Sequence, residues 1–233
     1  MKRKSAVAIL TLLAGCGHAQ TAGGRDASGF PRPDRPVASV VSSRWSNEPD
    51  RDQRREFDTV VKAAGMAKGM TVADIGAGEG YYTIRLAARV GADGRVLAED
   101  IVPAYHDMLA ARVLHDKLDN VSVKLGKPDD PKLPAASFDR IFLVHMYHEM
   151  DAPYAVLWHL RPALKPGGMV AIVDANRATE SHGTPPALLD CELRAVGYEP
   201  VRHVEMPQAD GYLALYRPVG PRPEPGKITA CKA

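Results

Sequence analysis

Val72-Ala73-Asp74-Ile75-Gly76-Ala77-Gly78-Glu79-Gly80, running into Tyr81-Tyr82-Thr83-Ile84-Arg85-Leu86-Ala87-Ala88, decides the fold. A short apolar strand, Thr71 to Ile75, carries an acid near its end. A glycine turn follows, and then a helix from Gly80 to Val90 that Gly91 stops. Glycines at such a turn allow positive φ and a close approach of ligand to backbone. The free N–H groups of the new helix face the same space. The stretch is therefore a nucleotide-binding corner. A dinucleotide turn, G-x-G-x-x-G, requires a glycine at position 81, where Tyr81 stands. A phosphate loop requires G-K-[ST], which is absent.

Length and charge bound what surrounds this corner. The 233 residues suffice for one domain with tails. A net charge of +2, with Lys and Arg spread among Asp and Glu, gives no nucleic-acid footprint. Cys16, Cys191 and Cys231 have no zinc-ligand spacing, and no metal site is expected. Cys191 falls on the apolar side of its helix and reads as core. No apolar run reaches the roughly 18 residues of a membrane span.

The elements alternate along the chain. Asn47 to Ala64 reads as one helix, with Arg51, Arg54 and Arg55 on a solvated face. With Arg44-Trp45 before it, this helix either covers the glycine corner or stays a solvated surface element. Strands follow at 95–100, 121–125 and 137–144, with a helix from Pro103 to Lys117 between the first two of these. The loop 126–134 is too proline-rich for a helix. Asp151 is placed to cap a helix that Pro162 ends near Leu160. Pro166-Gly167-Gly168 turns into the strand 169–174. Thr184 is placed to cap a helix to Val196. The runs 200–205 and 211–217 are joined so briefly that they must pair antiparallel.

The G-x-G-x-G turn after an acid, the junction Asp100-Ile101-Val102-Pro103 and the Pro-Gly-Gly turn together resemble the class I S-adenosylmethionine (SAM) dependent methyltransferases. The resemblance spans Val72 to Arg217. It implies an α/β fold, a Rossmann-like doubly wound seven-stranded sheet of order 3-2-1-4-5-7-6 with the last strand antiparallel. It implies SAM as cofactor, held by Asp74, Gly76, Ala77, Gly78, Gly80, Asp100 and Ile101. Asp100 then takes the ribose hydroxyls, with Glu99 as second choice. The adenine contact is expected from Asp129 or Asp130, since Lys127 stands at the usual acid position.

Catalysis needs donor and acceptor aligned, and an acceptor hydroxyl or amine must lose a proton. His145 and His148, just after the fourth strand, are the candidate bases. Tyr82 and Tyr147 are expected on the substrate side. No Asn/Asp-Pro-Pro-Tyr or Pro-Cys follows that strand, so no nucleic-acid substrate is expected. A small-molecule or lipid-like acceptor remains. The alternative is a non-catalytic SAM- or nucleoside-binding envelope protein.

The N-terminus carries an address. Met1-Lys2-Arg3-Lys4, the apolar run Ser5 to Leu13 and Leu13-Ala14-Gly15-Cys16 have the form of a secretory signal. Leu-Ala-Gly-Cys resembles the lipobox of bacterial lipoproteins. That resemblance implies a signal peptide over 1–15, lipidation at Cys16 and a periplasmic, lipid-anchored protein. If the signal is unused, the protein is cytoplasmic. Residues 16–43 read as a disordered tether, 44–217 as the domain and 218–233 as a disordered tail.

Overall fold

A computed structural model describes residues 24–40 and 47–233. Cys16, the signal sequence and Arg44-Trp45 lie outside the described residues. Seven strands form one sheet of order β3-β2-β1-β4-β5-β7-β6, as the resemblance implies. They are β1 (Thr71–Ile75), β2 (Arg95–Asp100), β3 (Val121–Leu125), β4 (Phe138–Val144), β5 (Leu164–Asp174), β6 (Tyr198–Met206) and β7 (Gly211–Pro218). Strands β1 to β5 pair in parallel, and β7 runs antiparallel to both β5 and β6.

Helices cover both faces, because the central strands are apolar on both. Along β4, Ile141 and Leu143 enter one core with α5 (Pro153–Leu160) and α6 (Pro186–Ala195). Phe142 between them enters the other, with α2 (Glu56–Ala63) and α3 (Tyr81–Val90). The helix α4 (Pro103–His115) lies between β2 and β3 in the chain. Among the described residues no helix is long and apolar enough to cross a membrane.

Two glycines of the opening stretch are required as glycine. Gly76 has φ +66°, and a Cβ there would stand 2.9 Å from Met146 carbons. Gly80 has φ +87°, and a Cβ would reach 2.3 Å from Leu109 Cδ1. Both positions combine a left-handed backbone with an occupied neighbour.

Several local expectations are corrected. The helix expected from Asn47 to Ala64 is two, α1 (Glu48–Gln53) and α2, broken where Arg55 takes φ 54°. Asp151 does not cap α5, whose N-cap is Ala152. Thr184 does not cap α6, whose N-cap is Pro185; its hydroxyl donates to Asp174 Oδ2 at 2.7 Å instead. Cys191 is exposed rather than core, and is bonded to Cys231.

The two segments expected to be disordered are packed, as far as they are described. In 24–40, Phe30 is buried and meets Trp158 edge-on at 5.5 Å. Arg35 is buried against Glu192, 3.0 Å away. In 218–233, Ile228 and Cys231 are buried. Arg161 donates to the carbonyls of Val219 and Gly220, at 3.0 and 2.8 Å. Arg25 ties the segments together, donating to Pro225 and Ile228 carbonyls. A low apolar count misled here because a few anchors and many backbone bonds hold each segment.

Candidate functional site

The glycine turn opens onto a cleft at the carboxyl ends of β1, β2 and β4, where open α/β sheets bind ligands. The cleft holds about 1340 Å³, its open mouth included. Asp74, Gly76, Ala77, Gly78, Asp100, Ile101, Tyr82 and His145 all line it. Gly80 does not; it caps α3 behind the turn.

Asp100 spans the corner. Its Oδ2 accepts from Gly78 N and its Oδ1 from Val102 N, each at 2.8 Å. Each oxygen keeps a lone pair for hydroxyl donors in the cleft. Asp74 lies beneath, buried, with Thr83 Oγ1 donating to it at 2.6 Å. Burial, with the nearby Asp100, pushes the Asp74 carboxyl up to about 6 against that hydrogen bond. A cationic ligand group beside it favours the ionised form. Glu99 also lines the cleft and lies over Gly126. Its burial, reinforced by Asp100, lifts it to about 8.

Beyond Asp100 the wall is largely apolar: Ile101, Val102, Tyr105, Lys127, Pro128 and Pro131. Ile101 is 43% exposed, a surface that a flat ring would cover. The acids expected here are elsewhere. Asp130 accepts from Lys132 N at 2.8 Å and pairs with Lys132 Nζ at 2.5 Å, outside the cleft. Asp129 lines a separate groove against residues 31–37. The prolines of this loop carry both acids away from the ligand side.

The opposite wall comes from α1, with Glu56 of α2 behind it. Glu48 pairs with Arg85 at 3.1 Å and Arg112 at 2.6 Å, fixing α1 across the glycine turn. Arg51, expected on a solvated face, is largely buried in the cleft wall. Its guanidinium carbon stands 3.8 Å from the Tyr81 ring centroid, and Nη2 reaches Glu56 at 2.9 Å. Its Nε is buried without a hydrogen-bond partner. Glu56 also accepts from the Tyr82 hydroxyl at 3.0 Å and from His145 Nε2 at 2.7 Å. Burial would push the Glu56 carboxyl up; His145 and Arg51 outweigh it and hold it at about 2. Burial, with Glu56 opposite, pushes the Tyr82 phenol well above its usual range.

One expected base, His148, and one expected substrate contact, Tyr147, lie away from the cleft and are corrected. His145 lines the cleft but is held by Glu56, with φ 54° at a non-glycine residue. Such left-handed strain marks positions that the surroundings over-determine. Tyr147 is fully buried away from the cleft, its hydroxyl donating to Glu192 at 2.7 Å. His148 is buried too, beside rather than in the cleft wall. Its Nδ1 lies 2.9 Å from Asp174 Oδ1. The short turn Tyr147–Glu149 breaks the strand alternation, so these neighbours diverge.

Glu56, Arg51, Asp174 and Arg35 escaped the sequence reading. Asp174, an acid ending an apolar strand, was findable on the same logic as Asp100. Glu56 and His145 are 89 positions apart and carry no local signal.

Comparisons with known proteins match this geometry. Residues 72–168 match the family model described as methyltransferase domain. The tRNA U34 carboxymethyltransferase of Desulfotalea psychrophila is 28% identical over 134 residues, 57% of this chain and 39% of that protein. The arsenite methyltransferase of Halobacterium salinarum is 30% identical over 111 residues, 48% of this chain and 28% of that protein. The chain thus spans less than two fifths of either relative's length. A solved SAM-dependent methyltransferase from Aquifex aeolicus superposes with a TM-score of 0.67 at 25% identity, covering 76% of this chain and 98% of that one.

Proposed function

We propose, from the premise that this chain belongs to the class I SAM-dependent methyltransferase superfamily, that it binds SAM in the cleft and transfers its methyl group to a small-molecule or lipid-like acceptor. The observation that carries the reading is the bridge from Gly78 N to Asp100 across the glycine turn. It leaves the Asp100 carboxylate aimed at the position of a ribose. The ring then lies on Ile101 and Pro128, with Glu99 at the edge of the same cleft. At the other end, Asp74 favours the methionine ammonium. The unpartnered Arg51 Nε favours the methionine carboxylate. Methyl transfer from the sulfonium is then chiefly alignment. Of the two histidines, His145 is the one on the acceptor side, since it lines the cleft, whereas His148 lies behind it against Asp174.

Asp100→Ala is expected to weaken SAM binding by about 1–3 kcal/mol, the loss of charge-assisted hydrogen bonds. Calorimetric titration with SAM and S-adenosylhomocysteine measures it, and an unchanged affinity sinks the assignment. The acceptor class is read by incubating labelled SAM with fractionated extracts. Label in a lipid or small-molecule fraction supports the proposal. Label in RNA overturns it, an outcome made pertinent by the relative named for tRNA. Intact SAM binding with no label transferred leaves the non-catalytic binder.

We also propose that the protein acts in the bacterial cell envelope, anchored through Cys16. The Cys191–Cys231 disulfide supports this, because structural disulfides persist in oxidising compartments. The native N-terminus is expected to be an acylated Cys16. Mass spectrometry that finds Met1 retained, or cleavage without acylation, rules the anchor out.

A further inference from the structure

Beside the cleft, three side chains from two segments converge. His148 and Glu149 sit on the short turn after β4, and His182 follows a turn after β5. One ligand-type atom from each lies within 4.8 Å of the others. The His148 ring is the informative member. Asp174 accepts from Ala175 N at 2.8 Å and from Thr184 Oγ1 at 2.7 Å, so it meets His148 Nδ1 as an acceptor. Nδ1 therefore carries a proton and donates at 2.9 Å, which leaves Nε2 with its lone pair in the neutral ring. That Nε2 is fully buried and has no hydrogen-bond partner. A buried nitrogen left so is costly unless something absent from the apo protein fills the position.

We propose that His148, Glu149 and His182 bind a divalent first-row transition metal ion, with Asp174 orienting His148. Three observations fit together. A carboxylate holding the far nitrogen of an imidazole is the usual support of a metal-bound histidine, fixing tautomer and ring direction. Two imidazoles and one carboxylate match the donor preferences of zinc, iron, manganese or cobalt and leave coordination positions open. The spacing also fits. Ligand atoms on a tetrahedral zinc at about 2.1 Å stand about 3.4 Å apart. His148 Nε2 and Glu149 Oε1 are already 3.9 Å apart. The set, within 4.8 Å overall, has to draw in by up to about 1.4 Å to reach that spacing.

The site also has a direction. Glu149 lines the cleft, whereas His148 and His182 lie behind it. A coordination position left open on the Glu149 side would face the cleft, which Glu149 lines. An oxygen of an acceptor bound there loses its proton more readily, without a histidine as base. Only this use of the metal rests on the methyltransferase reading; binding itself does not. The set has no local signature, because α5 and β5 separate His182 from His148 in the chain.

Calorimetric titration of Zn²⁺, and separately Mn²⁺, into metal-stripped, untagged full-length protein tests the site. One equivalent of at least one of the two ions is expected to bind. His182→Ala and Glu149→Gln are the deciding variants, since both side chains are only partly buried. Each is expected to weaken binding at least 10-fold, and Asp174→Asn by about 10–100-fold. His115→Ala, at an exposed histidine of α4, is expected to leave binding unchanged. No saturable single equivalent of either ion, wild-type affinity in either deciding variant, or a loss on His115→Ala overturns the proposal. These outcomes are read without SAM, so they are distinct from failure of the SAM assignment.

Discussion

Arg35→Met is expected to lower the unfolding free energy by about 3–5 kcal/mol, the usual cost of stranding one member of a buried ion pair. Arg35 and Glu192 have 0% exposed side chains and meet at 3.0 Å. Glu192 also accepts from the Tyr147 hydroxyl at 2.7 Å and from the Tyr154 hydroxyl at 3.5 Å. With methionine at 35, two phenols remain to stabilise a carboxylate removed from water. The guanidinium also donates to the carbonyls of Tyr147 and His148, at 3.3 and 3.4 Å. Those bonds hold the turn that presents His148 and Glu149. Urea unfolding at a constant slope measures the loss. The double variant Arg35→Met, Glu192→Gln is expected to regain much of it, because no buried charge is then left alone. A loss under about 1 kcal/mol in the single variant would show that residues 24–40 are not part of the cooperative unit.

That contact also marks the boundary of what the sequence carries. The corner from Val72 to Gly80 was legible because its signals are local: a strand period, glycines at fixed offsets, a helix start. Strand order followed from the resemblance and from chain order, since short connections leave few topologies open. Asp100 was legible as an acid at a strand end. The rest depends on distant partners. Arg35 and Glu192 are 157 positions apart, and neither has a period or motif around it. Residues 24–40 hold Pro31, Pro33 and Pro36, which reads as unstructured chain. Here the prolines belong to an extended path whose anchors are Phe30 and Arg35. Arg51 read as solvated because its helix was drawn unbroken. The break at Arg55 sets α1 at an angle that composition does not encode. Tyr147 was misplaced for a related reason. Strand alternation would set 145, 147 and 149 on one side, but His145 turns left-handed and a 3-10 turn follows. Side-chain direction is lost where the backbone leaves a regular period, and functional turns are where it does so.

Removing the disulfide is expected to cost about 4 kcal/mol. Cys191 and Cys231 are 40 positions apart, and the loop-closure relation gives about 4 kcal/mol for a crosslink of that span. The effect acts mainly through the unfolded chain, whose tail is free once the bond is broken. In the folded state the tail keeps other ties. Arg161 holds Val219 and Gly220, Trp158 Nε1 donates to the Pro223 carbonyl at 2.8 Å, and Cys231 N donates to the Tyr154 hydroxyl at 2.7 Å. Cys231→Ser should therefore fold with its cleft intact and SAM affinity unchanged, yet unfold at lower urea. Reduction of the wild-type protein should reproduce the shift, and Cys191→Ser should match Cys231→Ser. A loss well below 2 kcal/mol in all three would mean that the unfolded chain is already compact between α6 and the tail. The same bond bears on compartment. A reducing cytosol would keep both thiols free and withdraw this stabilisation. Alkylation before lysis should therefore block both cysteines of protein retained in the cytosol and neither of protein that has reached the envelope. Protein found in the envelope with two free thiols would separate the bond from the export signal.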